Sequence, residues 1–555
     1  MRLSVTSDLW WKNAIVYCVD VETFADGNGD GIGDLPGLTE RIDYLAGLGV
    51  TCLWLLPIYP SPRRDDGYDI TDFYGIDPRF GTIGDFVELV RTAADRGIKV
   101  LVDLVLNHTS DQHPWFQDAR SNPDSPYRGF YCWRDQKPQD TTTGIAFPDR
   151  ERSTWTYDRK ARSYYFHHFY RFQPELDIEN PAVRDEQERI VGFWLELGVA
   201  GFRLDAVPFY LDGGGGGPDA ADPHVHLRRM RGYLSRRKGD AVMLGEVNVP
   251  SNQLAHFFGG DDGDELHLSF AFPVMQALWL SLARQEAAPL IHALDDLPAL
   301  PMTGQVAQFL RNHDELTLDQ LTASEVQEVF AVFAPEENMR VYGHGIRRRL
   351  APLLGGDPAM QRCVHSLLFS LPGTPTLLYG DEYGLGDNLD LEDRLAVRTL
   401  MQWSARDNGG FSTAPAELLA RPATAAGRYG YRRVNVSAQR RDPQSLLNWT
   451  ERVIRTRRET PEIGWGAFSV IPTTAPAVMA HRLDWQSSTV VAVHNLSARP
   501  ATIDLTVDDI GADSESEEVL SDPTDYPPMT TRQQLTLPPW GYRWVRVHRP
   551  TRKVA

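Results

Sequence analysis

Short apolar, β-branched runs recur through the first four hundred residues: AIVYCVDV (14–21), CLWLLPI (52–58), KVLVDLVLN (99–107), GFRLDAV (201–207), AVMLGEVN (241–248), LHLSFAF (266–272), VAQFLRN (306–312) and PTLLYGDE (375–382). Most are followed by a stretch with helical spacing, such as LTERIDYLAGLG (38–49) or IGDFVELVRTAADRG (83–97). Apolar residues every three to four positions give a helix one buried face. Strand followed by helix, repeated, implies a parallel sheet, because parallel neighbours need a crossover connection. Eight such units predict a closed (β/α)8 TIM barrel.

Two departures from this rhythm divide the chain. Between the third and fourth runs, residues 107–180 are rich in aromatics, Pro, Asp and Ser, including WTYDRKARSYYFHHFYRF. A loop of that length is either a subdomain or disordered, and its aromatic density predicts an ordered lid inserted after strand 3. The catalytic barrel is then expected over 1–106 and 181–470, where LLNWTERVIRTRRET (446–460) reads as its last amphipathic helix. From 471 to 555, alternating runs such as STVVAVHNL, ATIDLTV and GYRWVRV, separated by Pro and Asp turns, predict a C-terminal antiparallel β-sandwich. The pentaglycine in DGGGGGPD (212–219) reads as a mobile loop near a pocket mouth or as an inert insertion.

Composition narrows the function. The 42% hydrophobic and 24% charged content is that of a globular protein. With 56 basic and 75 acidic side chains the net charge is −19, which disfavours nucleic acid and anionic membranes as partners. No run reaches the length of a membrane helix, and the N-terminus lacks the pattern of a signal peptide. The four cysteines are scattered without CxxC spacing, so a reduced, cytoplasmic protein is expected. The oligomeric state is left open, a homo-oligomer included.

Polar residues gather at the C-terminal ends of the runs: Asn107 and His108, Asp205, Glu246, then His313 and Asp314. In a barrel of this class that end carries the active site. A single acid there could merely cap the next helix; three, on different strands and accompanied by Arg203, argue against capping alone. Paired carboxyl groups are what glycosidic bond cleavage needs, one on the sugar face and one at the leaving oxygen. Separately, DGNGDGIGD (26–34) spaces oxygen ligands at alternate positions among glycines, which is calcium chemistry by ligand type. The adjacent His167 and His168 are not expected to bind metal.

The contexts GFRLDAV, LGEVN and FLRNHDEL, together with DLVLNHTSDQHPWF, DDGYDITDFY, TLLYGDEYG and MQWSARDNGGFS, resemble the α-amylase superfamily of retaining glycoside hydrolases over nearly the whole chain. VNVSAQRRDPQSLLNW and NMRVYGHGIRRRLAPLL resemble its trehalose synthase branch most. The resemblance implies Asp205 as nucleophile, Glu246 as acid and base, and Asp314 as the acid that holds sugar hydroxyls and the distorted ring. Arg203 would keep the nucleophile ionised. Asp65, Tyr68, His108, Phe169, Gln173, His313 and Arg398 would form the sugar-binding wall. Asp26, Asn28, Asp30, Ile32 and Asp34 would hold a structural calcium ion, and Asn107, Glu175 and Asp212 a second one between barrel and lid. No organic cofactor is implied.

The implied partner is a small α-glucoside, carried through a β-glucosyl-enzyme. If the released glucose returns through its anomeric hydroxyl, maltose and trehalose interconvert; this is the leading reading. If water attacks instead, the protein is an α-glucosidase or trehalase-like hydrolase. A non-catalytic carbohydrate-binding relative is the third reading, opposed by the presence of all three acids. Against the usual branch pattern, GEVNVPSN replaces GEANQWP, RTLMQW replaces RTPMQW and YCVDVETF replaces YEVLVRSF.

Overall fold

A computed structural model describes residues 9–147, 149–212, 222–507 and 515–548. The pentaglycine at 213–217 lies outside the described residues. Eight parallel strands close into a barrel in chain order: β1 (Val16–Val19), β2 (Cys52–Leu55), β3 (Lys99–Leu104), β4 (Gly201–Leu204), β5 (Val242–Gly245), β6 (Leu268–Phe270), β7 (Gln305–Phe309) and β8 (Thr374–Leu378). Each expected run contains or overlaps its strand, but most runs outlast the ladder. In 201–207, for example, pairing ends at Leu204 and the next residue is Asp205. Helices cover the outside, so these strands are buried on both faces and read as continuous apolar runs.

Between β3 and β4 the chain forms the expected separate body. A helix at Pro114–Ser121 packs with a three-stranded sheet of Trp133–Arg134, Ser163–Phe166 and Trp155–Asp158. Its small core includes Phe116, Phe130, Tyr131, Tyr165, Leu176 and Val183. An isolated bridge of His108 with Glu175 stitches the end of this body to the exit of β3, and a second, Tyr131 with Leu176, lies within the body.

Beyond the barrel, a five-stranded antiparallel sheet begins at Ala467, and a two-stranded sheet of Ala501–Thr506 and Arg532–Leu537 faces it. Val478, Val491 and Val545 from the first sheet share a core with Ile503, Leu505 and Leu535 from the second, which makes the sandwich. Among the described residues no helix is long and apolar enough to cross a membrane.

The sandwich docks on the barrel through buried histidines. His494 Nε2 lies 2.9 Å from Ser366 Oγ, which also accepts from Trp544 Nε1 at 3.0 Å. His481 Nε2 donates to the Ser370 carbonyl at 2.9 Å and its ring stacks on His494. Burial lowers His481 to about 4 and holds His494 well below the usual imidazole value. An imidazole held neutral when folded takes up a proton on unfolding. Its contribution is therefore complete above pH 6.5 and lost as pH falls, by up to about 1.4 kcal/mol per pH unit for each group. The drop in melting temperature between pH 7.5 and 5 should be smaller in His494→Gln than in the parent. Equal drops would show that this interface does not sense pH.

Candidate active site

Strand register does the first part of the positioning. Asp103 on β3 stands opposite Arg203 on β4, and Leu204 stands opposite Gly245 on β5. Asp205 and Glu246, the next residues along, therefore leave their strands side by side. Their amides continue the ladder, onto Leu104 O at 3.2 Å and Leu204 O at 2.9 Å. Arg203 and Asp205, two residues apart, share a face. Gly201 opens β4 at φ +144°, where an added Cβ would lie 2.1 Å from the Val242 carbonyl oxygen. Only glycine lets the two strands approach this closely there.

Arg203 is the hub. Its Nη1 lies 2.7 Å from Asp103 Oδ1 and 2.5 Å from Asp205 Oδ1, and its Nη2 lies 2.7 Å from Glu246 Oε2. Ala206, held at φ 46°, turns its amide onto Glu246 Oε2 at 3.1 Å. Burial pushes Asp205 up to about 7, Arg203 opposing and Asp103 and Asp314 adding to the rise. Burial pushes Glu246 up to about 7 as well, with Arg203 opposing and Asp205 and Asp314 adding. Both carboxyl groups contact the one guanidinium, and the Asp205 charge adds to the rise of Glu246. A double displacement begins with one carboxylate and one carboxylic acid.

Asp314 is built oppositely. Its Oδ1 accepts from Arg394 Nη1 and Arg398 Nη2, both at 2.8 Å, and its Oδ2 lies 3.2 Å from His313 Nε2. Burial works to raise its pKa, but these cations outweigh burial and hold the carboxyl well below the usual range. Arg394 continues to Asp65 Oδ1 at 2.8 Å, and Gln173 Nε2 donates to Asp65 Oδ2 at 2.8 Å.

A cavity of about 360 Å³ opens over the cluster, the size class of small-molecule sites. Asp65, Tyr68, His108, Phe169, Asp205, Glu246 and Asp314 line it. Gln173, Arg203, His313 and Arg398 stand behind, bonded to Asp65, Asp205, Tyr68 and Asp314 respectively. His313 is fully buried, its Nε2 2.7 Å from the Tyr68 hydroxyl, which also donates to Asp103 Oδ2 at 3.1 Å. His108 Nε2 lies 3.2 Å from the Tyr68 carbonyl, and burial lowers its pKa to about 4, so it is neutral. The lid contributes Ile145, Ala146 and Phe147 to the lining; the Phe147 ring packs against Phe169 and Tyr342.

Sequence reasoning missed Asp103, Arg394 and Phe147. Asp103 had a signal, a lone charge inside an apolar run. Arg394 lies in the 3-10 turn Asp393–Val397, where no periodicity marks it.

Among the described residues no group of three or more His, Cys, Asp or Glu side chains is placed to hold a metal. The second expected calcium set holds only two acids and an amide. Asn107, Glu175 and Asp212 do converge, but on an imidazole. His168 Nδ1 lies 2.6 Å from Glu175 Oε2, its Nε2 lies 3.3 Å from Asp212 Oδ2, and Asn107 Nδ2 donates to Glu175 at 3.3 Å. Burial opposes the charge on His168, but the two carboxylates overcome it and raise its pKa to about 9. An imidazolium thus stands where the ion was expected, joining the lid to barrel loops.

The family described as alpha amylase, catalytic domain, matches residues 19–466, and the chain belongs to it. The sucrose hydrolase-like C-terminal domain matches 488–546. The trehalose synthase/amylase TreS of Mycolicibacterium smegmatis is 41% identical over 99% of this chain and 94% of that protein. The trehalose synthase of a Pimelobacter species is 41% identical over 89% of this chain and 88% of its own length. An oligo-1,6-glucosidase of Halalkalibacterium halodurans is more distant, at 28% over 93% and 94%. Among solved structures, the trehalulose synthase MutB of Pseudomonas mesoacidophila superposes with a TM-score of 0.76 at 27% identity, covering 97% of this chain and 99% of that one. The chain is a glycosyl-transferring enzyme of the α-amylase family, homologous to trehalose synthases.

The Asp205–Glu246 pair predicts a bell-shaped pH dependence of kcat/KM on an activated α-glucoside, with its maximum near neutrality. Glu246→Gln should lose the alkaline limb. An unchanged alkaline limb in that variant would contradict the assignment of the proton.

Proposed function

We propose that this enzyme interconverts maltose and trehalose by intramolecular glucosyl transfer. The observation that carries the reading is the cavity wall in which Arg394 bridges Asp65 and Asp314 and which also carries Asp205 and Glu246. In this reading that wall receives one terminal glucosyl unit.

In this reading Asp205 attacks the anomeric carbon while Glu246 gives its proton to the leaving oxygen. The glycosidic bond breaks, a β-glucosyl ester forms on Asp205, and glucose is released within the cavity. That glucose turns and presents its anomeric hydroxyl. Glu246 takes the proton, the new carbon–oxygen bond forms, and the ester breaks, so configuration is retained. Asp314, held ionised by two arginines, and Asp65 bind ring hydroxyls. Tyr68 and Phe169 supply ring faces for the sugar, and neutral His108 lines the wall between them. Phe147 and its neighbours from the lid exclude water. The barrel (1–106 and 181–470) supplies the chemistry, the insertion (107–180) the closure, and the segment 471–555 a buttress. The acceptor side is lined by Asn248, Thr317 and Asp319; these polar groups can also orient water, which favours hydrolysis as the second reading. Four cysteines without disulfides support a cytoplasmic setting.

The 26–34 loop is proposed to hold a structural calcium ion through Asp26, Asn28, Asp30, Ile32 and Asp34 once its three aspartates, which do not converge in this structure, close around the ion. Its donors are all oxygen, as calcium requires. Successive side-chain-to-amide turns curl it, Asn28 Oδ1 accepting from Asp30 N at 2.8 Å and Asp30 Oδ1 from Ile32 N at 2.9 Å. Asn28 Oδ1 and Asp30 Oδ1 keep accepting capacity beyond these bonds, whereas Asp26 Oδ2 and Asp34 Oδ1 each already accept two hydrogen bonds. When bound, the ion would neutralise the loop and brace it against Ser412, whose Oγ donates to Asp26 at 2.5 Å.

Anomeric proton signals followed during incubation with maltose and, separately, with trehalose test the reading. The other disaccharide should appear with glucose as a minor product; glucose alone would establish the hydrolase. Chelation should lower the melting temperature more than it lowers the rate at low temperature, and equal melting temperatures would remove the calcium.

A further inference from the structure

The run GIRRRLAPLL takes no part in the chemistry above, yet Arg347 and Arg349 are directed at backbone near the site and Arg348 at the Asp387 carboxylate and the Met339 sulfur. Arg347 donates from Nη1 to the Asn338 carbonyl at 3.3 Å, and from Nη2 to Leu389 O at 3.3 Å and to Leu391 O. Asp387 Oδ2 accepts from Arg348 Nε at 2.8 Å and from the Arg349 amide at 3.0 Å. The fully buried Arg349 donates from Nε to Val397 O at 2.8 Å and from Nη1 to Tyr379 O at 2.7 Å, with Asp381 Oδ1 at 3.2 Å. A fourth arginine, Arg311, donates from Nε to Asn312 O at 2.9 Å and from its two Nη atoms to the carbonyls of Arg348 and Asp314.

These bonds join three pieces of chain at one end of the barrel: the turn after β7 that carries His313 and Asp314, the exit of β8 at Tyr379, and the segment 387–398. That segment delivers Arg394 and Arg398 to Asp314, and its regular structure is confined to the 3-10 turn Asp393–Val397. With no sheet ladder to hold it, its carbonyls need other donors. A guanidinium suits this because its rigid planar fork reaches several carbonyls at once, which a lysine ammonium on a flexible stem does not.

We propose that Arg311, Arg347, Arg348 and Arg349 form a positioning clamp that fixes the segment 387–398, so that Arg394 and Arg398 meet Asp314 at the pocket wall. The proposal rests on the reading that this wall receives the transferred glucosyl unit. None of the four is a catalytic residue; Arg311, Arg347 and Arg349 act through backbone carbonyls, and Arg348 through the Asp387 carboxylate of the same segment. Small misplacements at a reacting site cost disproportionately in rate.

The test uses Arg347→Gln, Arg347→Lys and Arg349→Lys in the full chain. It measures kcat and KM on an activated α-glucoside, the melting temperature, and the share of glucosyl units passed to water when maltose is the substrate. Arg347 is half-buried at the rim, so its variants should fold even if Arg349→Lys does not. The expected result for both Arg347 variants is a rise in KM of about tenfold, exceeding any fall in kcat, and a larger share to water. Lysine should not rescue, since it keeps the charge and loses the fork. KM within about twofold of the parent, with only the melting temperature lowered, would overturn the clamp and leave a purely structural role. If the parent forms no trehalose from maltose, the isomerase reading fails, while KM on the activated glucoside still decides the clamp.

Discussion

The guanidinium of Arg203 is 1% exposed and lies within 2.7 Å of Asp103, Asp205 and Glu246. A buried cation with one carboxylate would satisfy itself; this one is shared among three. Stripping water from these groups costs several kcal/mol per ion, and only close, well-directed contacts offset it. The contacts exist because β3, β4 and β5 pair in a register that sets Asp103 against Arg203 and brings Asp205 and Glu246 out together. Fold and chemistry are thus one constraint. A slip between β3 and β4 would leave acids facing each other in the barrel with no cation between them.

The same alternation of charge runs outward from the site. Asp65, Arg394, Asp314, Arg398 and Asp66 form a chain in which each carboxylate meets an arginine and each arginine two carboxylates. The result is that neighbouring acids differ in state. Against burial, His313 and two arginines hold Asp314 well below the usual carboxylate range, while burial and neighbouring acids raise Asp205 and Glu246. Dipoles and charges fixed in advance need no rearrangement when charge develops on the sugar. Aromatic side chains from the lid close the remaining side, and the imidazolium of His168 ties lid to barrel where a calcium ion was anticipated.

The barrel was legible because its signal is periodic. Each buried strand is a short apolar run, and each run ends on the residue that enters the site; Asp205, Glu246 and Asp314 could be found from that position alone. Their roles came from the resemblance to a family. Groups that act through irregular backbone left no such trace. Arg394 lies in a 3-10 turn beside Asp393 at φ 41°, far in sequence from the Asp65 and Asp314 it joins. The three consecutive arginines at 347–349 stood out in the sequence, but nothing there showed that Arg347 and Arg349 reach backbone carbonyls while Arg348 meets Asp387. Asn107, Glu175 and Asp212 were grouped for an ion; the structure sets His168 between Glu175 and Asp212. The pair of histidines at 167 and 168 was set aside as a metal ligand, and its capacity to serve as the cation itself was not considered.

The central claim is that Asp205, lodged against Arg203, is the group that becomes glucosylated. Incubating Glu246→Gln with α-glucosyl fluoride bypasses the need for acid in the first step and slows release of the ester. Mass spectrometry of the intact protein should then show one added glucosyl unit, and digestion should place it on the peptide containing Asp205. An adduct on any other peptide, or none while fluoride is released, would contradict the account.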